Sequence, residues 1–163
     1  MDRIACPLRS AARHFGDTPA LIGADGMISY ARLDRLVDAL VHRLRNVGVI
    51  RGERVAAVCL MGWEYPVLLW ALFRLKSVVC PISPRFPLDT VSAILRQIHC
   101  RTFIDTVRHS DQISVPGLRR VSLQRLFENL HQEKGRPEEE TDFLASKGAG
   151  TIVLTSGSFG LPK

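Results

Sequence analysis

The sequence predicts an α/β fold, a mostly parallel sheet flanked by helices. Continuous apolar runs of strand length recur at residues 55–60, 78–82 and 150–154, the pattern of strands buried on both faces. Between the first two lies a segment of helical length, and residues 30–47 ahead of them carry a clear helical apolar stripe. The composition agrees: 163 residues, 46% apolar and 23% charged, are ordinary for a globular chain with a substantial core. Disorder, a collagen, a coiled coil and a disulfide mini-protein are excluded. Buried strands alternating with amphipathic helices imply crossover connections and therefore parallel pairing.

Taken in order, residues 8–15 form a short helix stopped by Gly16. Residues 20–23 and 27–29 flank Asp25-Gly26, a hairpin-turn dipeptide. Residues 30–47 are the clearest helix: Leu33, Leu36, Val37, Leu40, Val41, Leu44 and Val47 recur three and four apart, which makes one apolar stripe. Ser29 is a natural N-cap and Gly48 a natural stop. After the strand at 55–60 comes a helix over 64–76, with Pro66 tolerated in its first turn. The strand at 78–82 runs into a loop held extended by Pro81, Pro84 and Pro87. A helix over 88–98, a strand over 102–105, a short strand at 120–121 and a helix over 123–132 follow. Residues 133–142 are polar, with Pro137 and three successive glutamates, and read as a loop. No internal repeat is present.

The chain carries 22 basic and 16 acidic side chains, a net charge of +6. A basic surface attracts anions such as nucleotides. Nucleic acid is not an expected partner, because neither a clustered basic run nor an RNP, zinc-finger or basic-zipper pattern occurs. Cys6, Cys59, Cys80 and Cys100 include no C-x-x-C pair; zinc ligation and structural disulfides are not expected, which suits a reducing compartment. His99-Cys100 reads as a helix end. The N-terminus lacks the apolar stretch of a signal peptide. The longest greasy run, 67–73, is far short of the ~20 residues that span a bilayer. A cytoplasmic chain with no membrane span is the expectation.

Residues 155–163, Thr-Ser-Gly-Ser-Phe-Gly-Leu-Pro-Lys, follow the last strand, where ligands of parallel sheets sit. Gly157 and Gly160 let backbone amides approach a ligand. Thr155, Ser156 and Ser158 supply hydroxyls and Lys163 a positive charge, the makings of a phosphate cradle. The plainer alternative is a polar turn with no ligand. The spacing fits neither a Walker A loop nor the dinucleotide G-x-G-x-x-G.

This run resembles the phosphate-loop signature of the adenylate-forming superfamily: acyl-CoA synthetases, peptide-synthetase adenylation domains and luciferases. Two upstream segments resemble the family in the expected order. Ile28-Ser29-Tyr30-Ala31-Arg32-Leu33 is similar to its L-T-Y-x-E-L signature. The stretch from Ala71 to Pro87, ending Pro81-Ile82-Ser83-Pro84-Arg85-Phe86-Pro87, is similar to its helix-to-strand segment ending in P-x-N-P-R-x-P. Phe159 replaces a Ser/Thr of the loop, Ser83 stands where Asn is common, and Lys76-Ser77 replaces an Ala-Gly pair.

The resemblance implies residues 1–163 to be a partial N-terminal AMP-binding (adenylation) domain, truncated at the end of the phosphate loop. It implies that family members join a carboxylic acid to ATP, release pyrophosphate and pass the acyl group of the adenylate to a thiol, commonly coenzyme A. Thr155, Ser156, Gly157, Ser158, Gly160 and Lys163 would bind the ATP phosphates. The catalytic residues and a metal site would lie outside this chain, with magnesium serving the parent enzyme. Expected partners are a small-molecule carboxylate, a nucleotide and the remainder of the parent chain. The loop's texture resembles o-succinylbenzoate–CoA ligases of menaquinone synthesis. The alternatives are another acyl- or aryl-CoA synthetase, a peptide-synthetase adenylation domain, or a non-catalytic nucleotide-binding or scaffold module. The 163-residue chain alone is expected not to form acyl-adenylate. Arg85 reads as a structural arginine of the proline-rich loop, with a phosphate ligand as the alternative. Trp63 and Trp70 read as core or interface residues.

Overall fold

The computed structural model describes residues 6–24, 26–58, 62–106, 112–133 and 150–154. Helix α1 (Pro7–His14) leads into the antiparallel hairpin β1 (Pro19–Gly23) and β2 (Gly26–Ser29), in which Ile22 faces Met27 across the turn. Helix α2 (Tyr30–Asn46) starts at Ser29, whose hydroxyl accepts the Arg32 amide at 3.3 Å. Then follow β3 (Arg54–Val58), α3 (Glu64–Arg74), β4 (Val78–Ile82), α4 (Leu88–Gln97), β5 (Thr102–Asp105), β6 (Arg119–Ser122), α5 (Leu123–Phe127), a 3-10 turn (Leu130–Gln132) and β7 (Gly150–Thr151).

Strands β3 to β7 form one sheet in the order β6-β5-β3-β4-β7, and every pairing is parallel. Period-two alternation divides the strand side chains between two cores. Val55 and Ala57 of β3, Val79 of β4 and Ile104 of β5 pack beneath α2, α3 and α5. Ala56, Val58, Cys80, Ile82 and Phe103 point the other way, under α4. The continuous apolar reading of these strands follows from this, since both faces are covered. The predicted mostly parallel α/β architecture is the one observed.

Helices α2, α3 and α4 end in the same way. Each enters a left-handed residue, Gly48 (φ 87°), Lys76 (φ 58°) and His99 (φ 49°). The amide of that residue bonds back to Arg45, Phe73 and Arg96 respectively, at 2.8, 2.9 and 3.0 Å. The next amide, of Val49, Ser77 or Cys100, reaches the carbonyl of Leu44, Leu72 or Leu95 at 2.9 to 3.0 Å. This paired bonding satisfies carbonyls that a helix end leaves open and turns the chain sharply. Here it aims the chain at β3, β4 and β5. Gly48 as a stop and His99-Cys100 as a helix end both agree with the sequence; the left-handed turn at Lys76 has no glycine to signal it.

A buried charged cluster locks α1, α2 and α3 together. Arg9 and Arg74 each pair with both Asp34 and Asp38. Burial pushes the Asp38 carboxyl up, opposed by the Arg74 and Arg9 guanidiniums. Beneath the sheet's amino end, Glu53 accepts from Thr102 Oγ1 and from Arg119 Nη1 at 3.0 Å, tying the starts of β3, β5 and β6.

Three boundaries differ from the sequence reading. The single helix expected over 123–132 breaks after Phe127: Glu128 is extended (ψ 119°) and Asn129 left-handed (φ 53°). Past the break, Leu130 is completely buried against the α2 side of the core. The strand at 120–121 is longer, Arg119–Ser122, because its register with β5 runs the length of that strand. The last strand is shorter than 150–154; ladder pairing covers Gly150–Thr151, with the Ile152 amide donating onward to Val79 at 2.8 Å. Cys6, Cys80 and Cys100 are free thiols; Cys59 and the polar stretch beyond residue 133 lie outside the described residues.

Candidate active site at the carboxyl edge of the sheet

The connection β3–α3–β4 steps to one side of β3, and β4–α4–β5 returns to the other. The strand order therefore reverses between β3 and β5, and in open parallel sheets the crevice at that point is where ligands bind. Around it lie the carboxyl ends of β3, β4 and β5.

The loop after β4 is tightly built. Ser83 Oγ accepts the Arg85 amide at 3.2 Å, and the Phe86 amide reaches the Ser83 carbonyl at 3.1 Å. Pro87 then caps α4 in an extended conformation (ψ 149°). Serine at position 83 thus supplies the turn. Arg85 does not brace the loop as expected: its side chain is exposed and makes no hydrogen bond or ion pair among the described residues. The proline ring geometry and Ser83 already hold the backbone, so the guanidinium is left in solvent.

Beside this loop is a narrow apolar cleft of about 40 Å³ lined by Val58, Ile82, Phe86, Phe103 and Ile113, with Asp105 and Thr106 at its polar end. Asp105 is 3% exposed, and its Oδ1 accepts the Thr106 amide at 2.7 Å. Thr106 also borders a second cleft on the α5 side, with Glu64 and Gln124. Neither Asp105 nor Thr106 was singled out from sequence. The available signal was a carboxylate closing an apolar run at a strand's carboxyl end.

The upstream motif residues fall where their chemistry suggests. Ile28 to Leu33 form the junction from β2 into α2, and the stretch from Ala71 to Pro87 covers the end of α3, its left-handed turn, β4 and the Ser83 loop. Trp63 packs edge-on to Phe127 with centroids 5.5 Å apart, and Trp70 stands edge-on to Phe73 at 6.2 Å; both lie against the core as expected. Strand β7 runs parallel to β4 and residues 152–154 continue past it, Ile152 and Leu154 packing on the α4 side while Val153 is 71% exposed. Thr155, Ser156, Gly157, Ser158, Gly160 and Lys163 lie outside the described residues. So does residue 159. Among the described residues no group of three His, Cys, Asp or Glu side chains is placed to hold a metal ion, so none is assigned to magnesium. Nor is any described helix long and apolar enough to cross a membrane.

A parallel sheet with its strand order reversing at this crevice defines an open α/β protein with a ligand crevice at its carboxyl edge. The AMP-binding enzyme family model matches residues 8–163, and the chain belongs to that family. Similar proteins include the N-benzoylphenylalaninol synthetase apmA of Penicillium brevicompactum, 27% identical over 96% of this chain and 6% of that protein. Syringomycin synthase SyrB1 of Pseudomonas syringae pv. syringae is 28% identical over 93% of this chain and 24% of its own length. The solved N-terminal subdomain of Klebsiella oxytoca NpsA superposes with a TM-score of 0.82 at 25% identity, covering all of this chain and 41% of that one. The chain thus spans a minor part of the relatives it matches. They include peptide synthetases, so the comparisons favour the adenylation-domain alternative over o-succinylbenzoate–CoA ligase.

Proposed function

We propose that this chain is the phosphate-binding front of an adenylation domain of the peptide-synthetase kind. In this reading the whole domain uses ATP to activate a small carboxylic or amino acid. The acid's carboxylate oxygen bonds to the α-phosphorus as pyrophosphate leaves, and a thiol then attacks the acyl carbon as AMP leaves. A carboxylate is a poor electrophile until its oxygen belongs to a good leaving group, and positioning plus charge stabilisation supply most of the acceleration. The thiol would be a carrier arm of the assembly rather than free coenzyme A, in keeping with the peptide synthetases among its relatives.

One observation carries the reading. Leu154, at the carboxyl side of the sheet beside β4, is bonded directly to the nine-residue run 155–163. Amides near Gly157 and Gly160, with the hydroxyls of Thr155, Ser156 and Ser158, would hold the phosphates, and Lys163 would neutralise the departing pyrophosphate. Phe159 stands where the loop signature has a further Ser/Thr, so one hydroxyl that could face the phosphates is absent. The acyl and thiol pockets would belong to the remainder of the parent chain.

Calorimetric titration of the 163-residue chain with ATP and magnesium tests this. Weak binding that falls at least about tenfold in Lys163→Ala is the expected result. Binding untouched by that substitution removes the phosphate role from the loop. ATP–pyrophosphate exchange above background by this chain alone would overturn the division of labour.

A further inference from the structure

Residues 155–163 contain a single cation, Lys163, yet the phosphates of a nucleotide carry several negative charges. A second cation stands at the same edge of the sheet. Arg85 lies on the connection that leaves the carboxyl end of β4, exposed and without a side-chain partner among the described residues. No acidic residue occurs in 83–87. Asp89, in the first turn of α4, is exposed and makes no ion pair with it.

The backbone at Arg85 is fixed from both sides. Its amide donates to Ser83 Oγ at 3.2 Å, and the Phe86 amide donates to the Ser83 carbonyl at 3.1 Å. Pro84 and Pro87 restrict φ on either side. The Phe86 side chain packs against the core cluster under α4, which anchors the chain one residue beyond Arg85. The place of this connection follows from the sheet. Val79 of β4 is level with Thr151 of β7, and the Ile152 amide reaches the Val79 carbonyl at 2.8 Å. Continuing that register sets Ile82 level with Leu154, and Leu154 packs on the same cluster as Ile82 and Phe86. The two chains therefore leave the sheet side by side, one into 83–87 and the other into 155–163.

We propose that Arg85 is a second phosphate ligand, binding the polyphosphate of the nucleotide beside Lys163. A guanidinium matches phosphate oxygens with paired N–H donors. Because the backbone is already fixed, binding costs only side-chain freedom. The inference rests on the ATP reading above and adds residue 85 to it. Arg85 shares its exit from the sheet with the run assigned to the departing pyrophosphate, so ATP and pyrophosphate should feel its loss and AMP should not.

Calorimetry of the 163-residue chain with magnesium and ATP, pyrophosphate or AMP is the test. Arg85→Ala should weaken ATP and pyrophosphate about fivefold or more while leaving AMP within about twofold. Its melting should match the wild type, because the side chain is exposed. Arg85→Lys keeps the charge but loses the fork, and should recover part of the loss. Arg101→Ala, the same charge change just ahead of β5, should leave ATP and pyrophosphate within about twofold. ATP binding that Arg85→Ala leaves intact while Lys163→Ala weakens it would overturn the inference and keep the ATP reading. Equal weakening of ATP and AMP, or equal weakening by Arg101→Ala, would also overturn it. Absence of ATP binding by the wild-type chain would remove both.

Discussion

Arg43 shows how much one side chain can organise. Its guanidinium closes the open carbonyl end of α5 and pairs with Glu133, so it holds the break at Glu128–Asn129 against α2. Cationic groups at a helix C-terminus are favoured by the exposed carbonyls. Arg43→Ala should lower stability by about 1 to 3 kcal/mol, read as a lower denaturation midpoint. Cys100 makes a second residue-scale case. Burial pushes its thiol up to about 11 from an ordinary 9.0. The folded chain keeps a proton that the unfolded chain gives up in that interval, so stability is lost as pH rises from 9.0 to about 11. Cys100→Ala should flatten that part of the stability–pH curve, and the native thiol should resist alkylation at pH 8 while Cys6, half-buried, reacts faster.

At the scale of elements, the three left-handed helix ends decide where the parallel strands begin. Only α2 uses glycine there. A non-glycine residue in this conformation costs roughly 1 kcal/mol or more, and His99 is exposed. His99→Gly should therefore raise stability by about 0.5 to 1 kcal/mol, measured by urea denaturation, while Gly48→Ala should lower it by a similar amount. The same ends explain what the sequence disclosed. The α2 stripe, Ser29 cap and Gly48 stop combine period, cap and breaker, and the helix forms as Tyr30–Asn46. The break in 123–132 was illegible because Leu123, Leu126, Phe127 and Leu130 still keep helical spacing. What ends α5 is a tertiary contact with Arg43, eighty residues away in sequence. Arg85 is exposed and its side chain has no partner among the described residues, where Ser83 already makes the turn.

On the scale of the molecule, the sheet gathers different residues in different places. The carboxyl edge gathers the reversal between β3 and β5, the Ser83 loop, Asp105 and the run-out of β7. Arginines gather along β6, from its start to α5. The crevice was legible because buried apolar runs alternating with helices imply a parallel sheet with ligands at its carboxyl edge, whereas the role of residues 155–163 rests on their sequence alone. The arginine cluster was not legible, since Arg43, Arg119, Arg120 and Arg125 come from separated segments and meet only once β6 has paired with β5. The substrate acid stayed illegible: nothing among the described residues singles one out.

Amide shifts of the isotope-labelled chain during titration with ATP and magnesium test the central claim most directly. The account predicts perturbations confined to residues 155–163 and the adjoining carboxyl edge at Ser83, Arg85 and Thr106, with Gly52 and Arg101 at the amino edge unmoved, and their loss in Lys163→Ala. Shifts centred on the arginine-lined amino edge, with those of the loop unchanged, would contradict it.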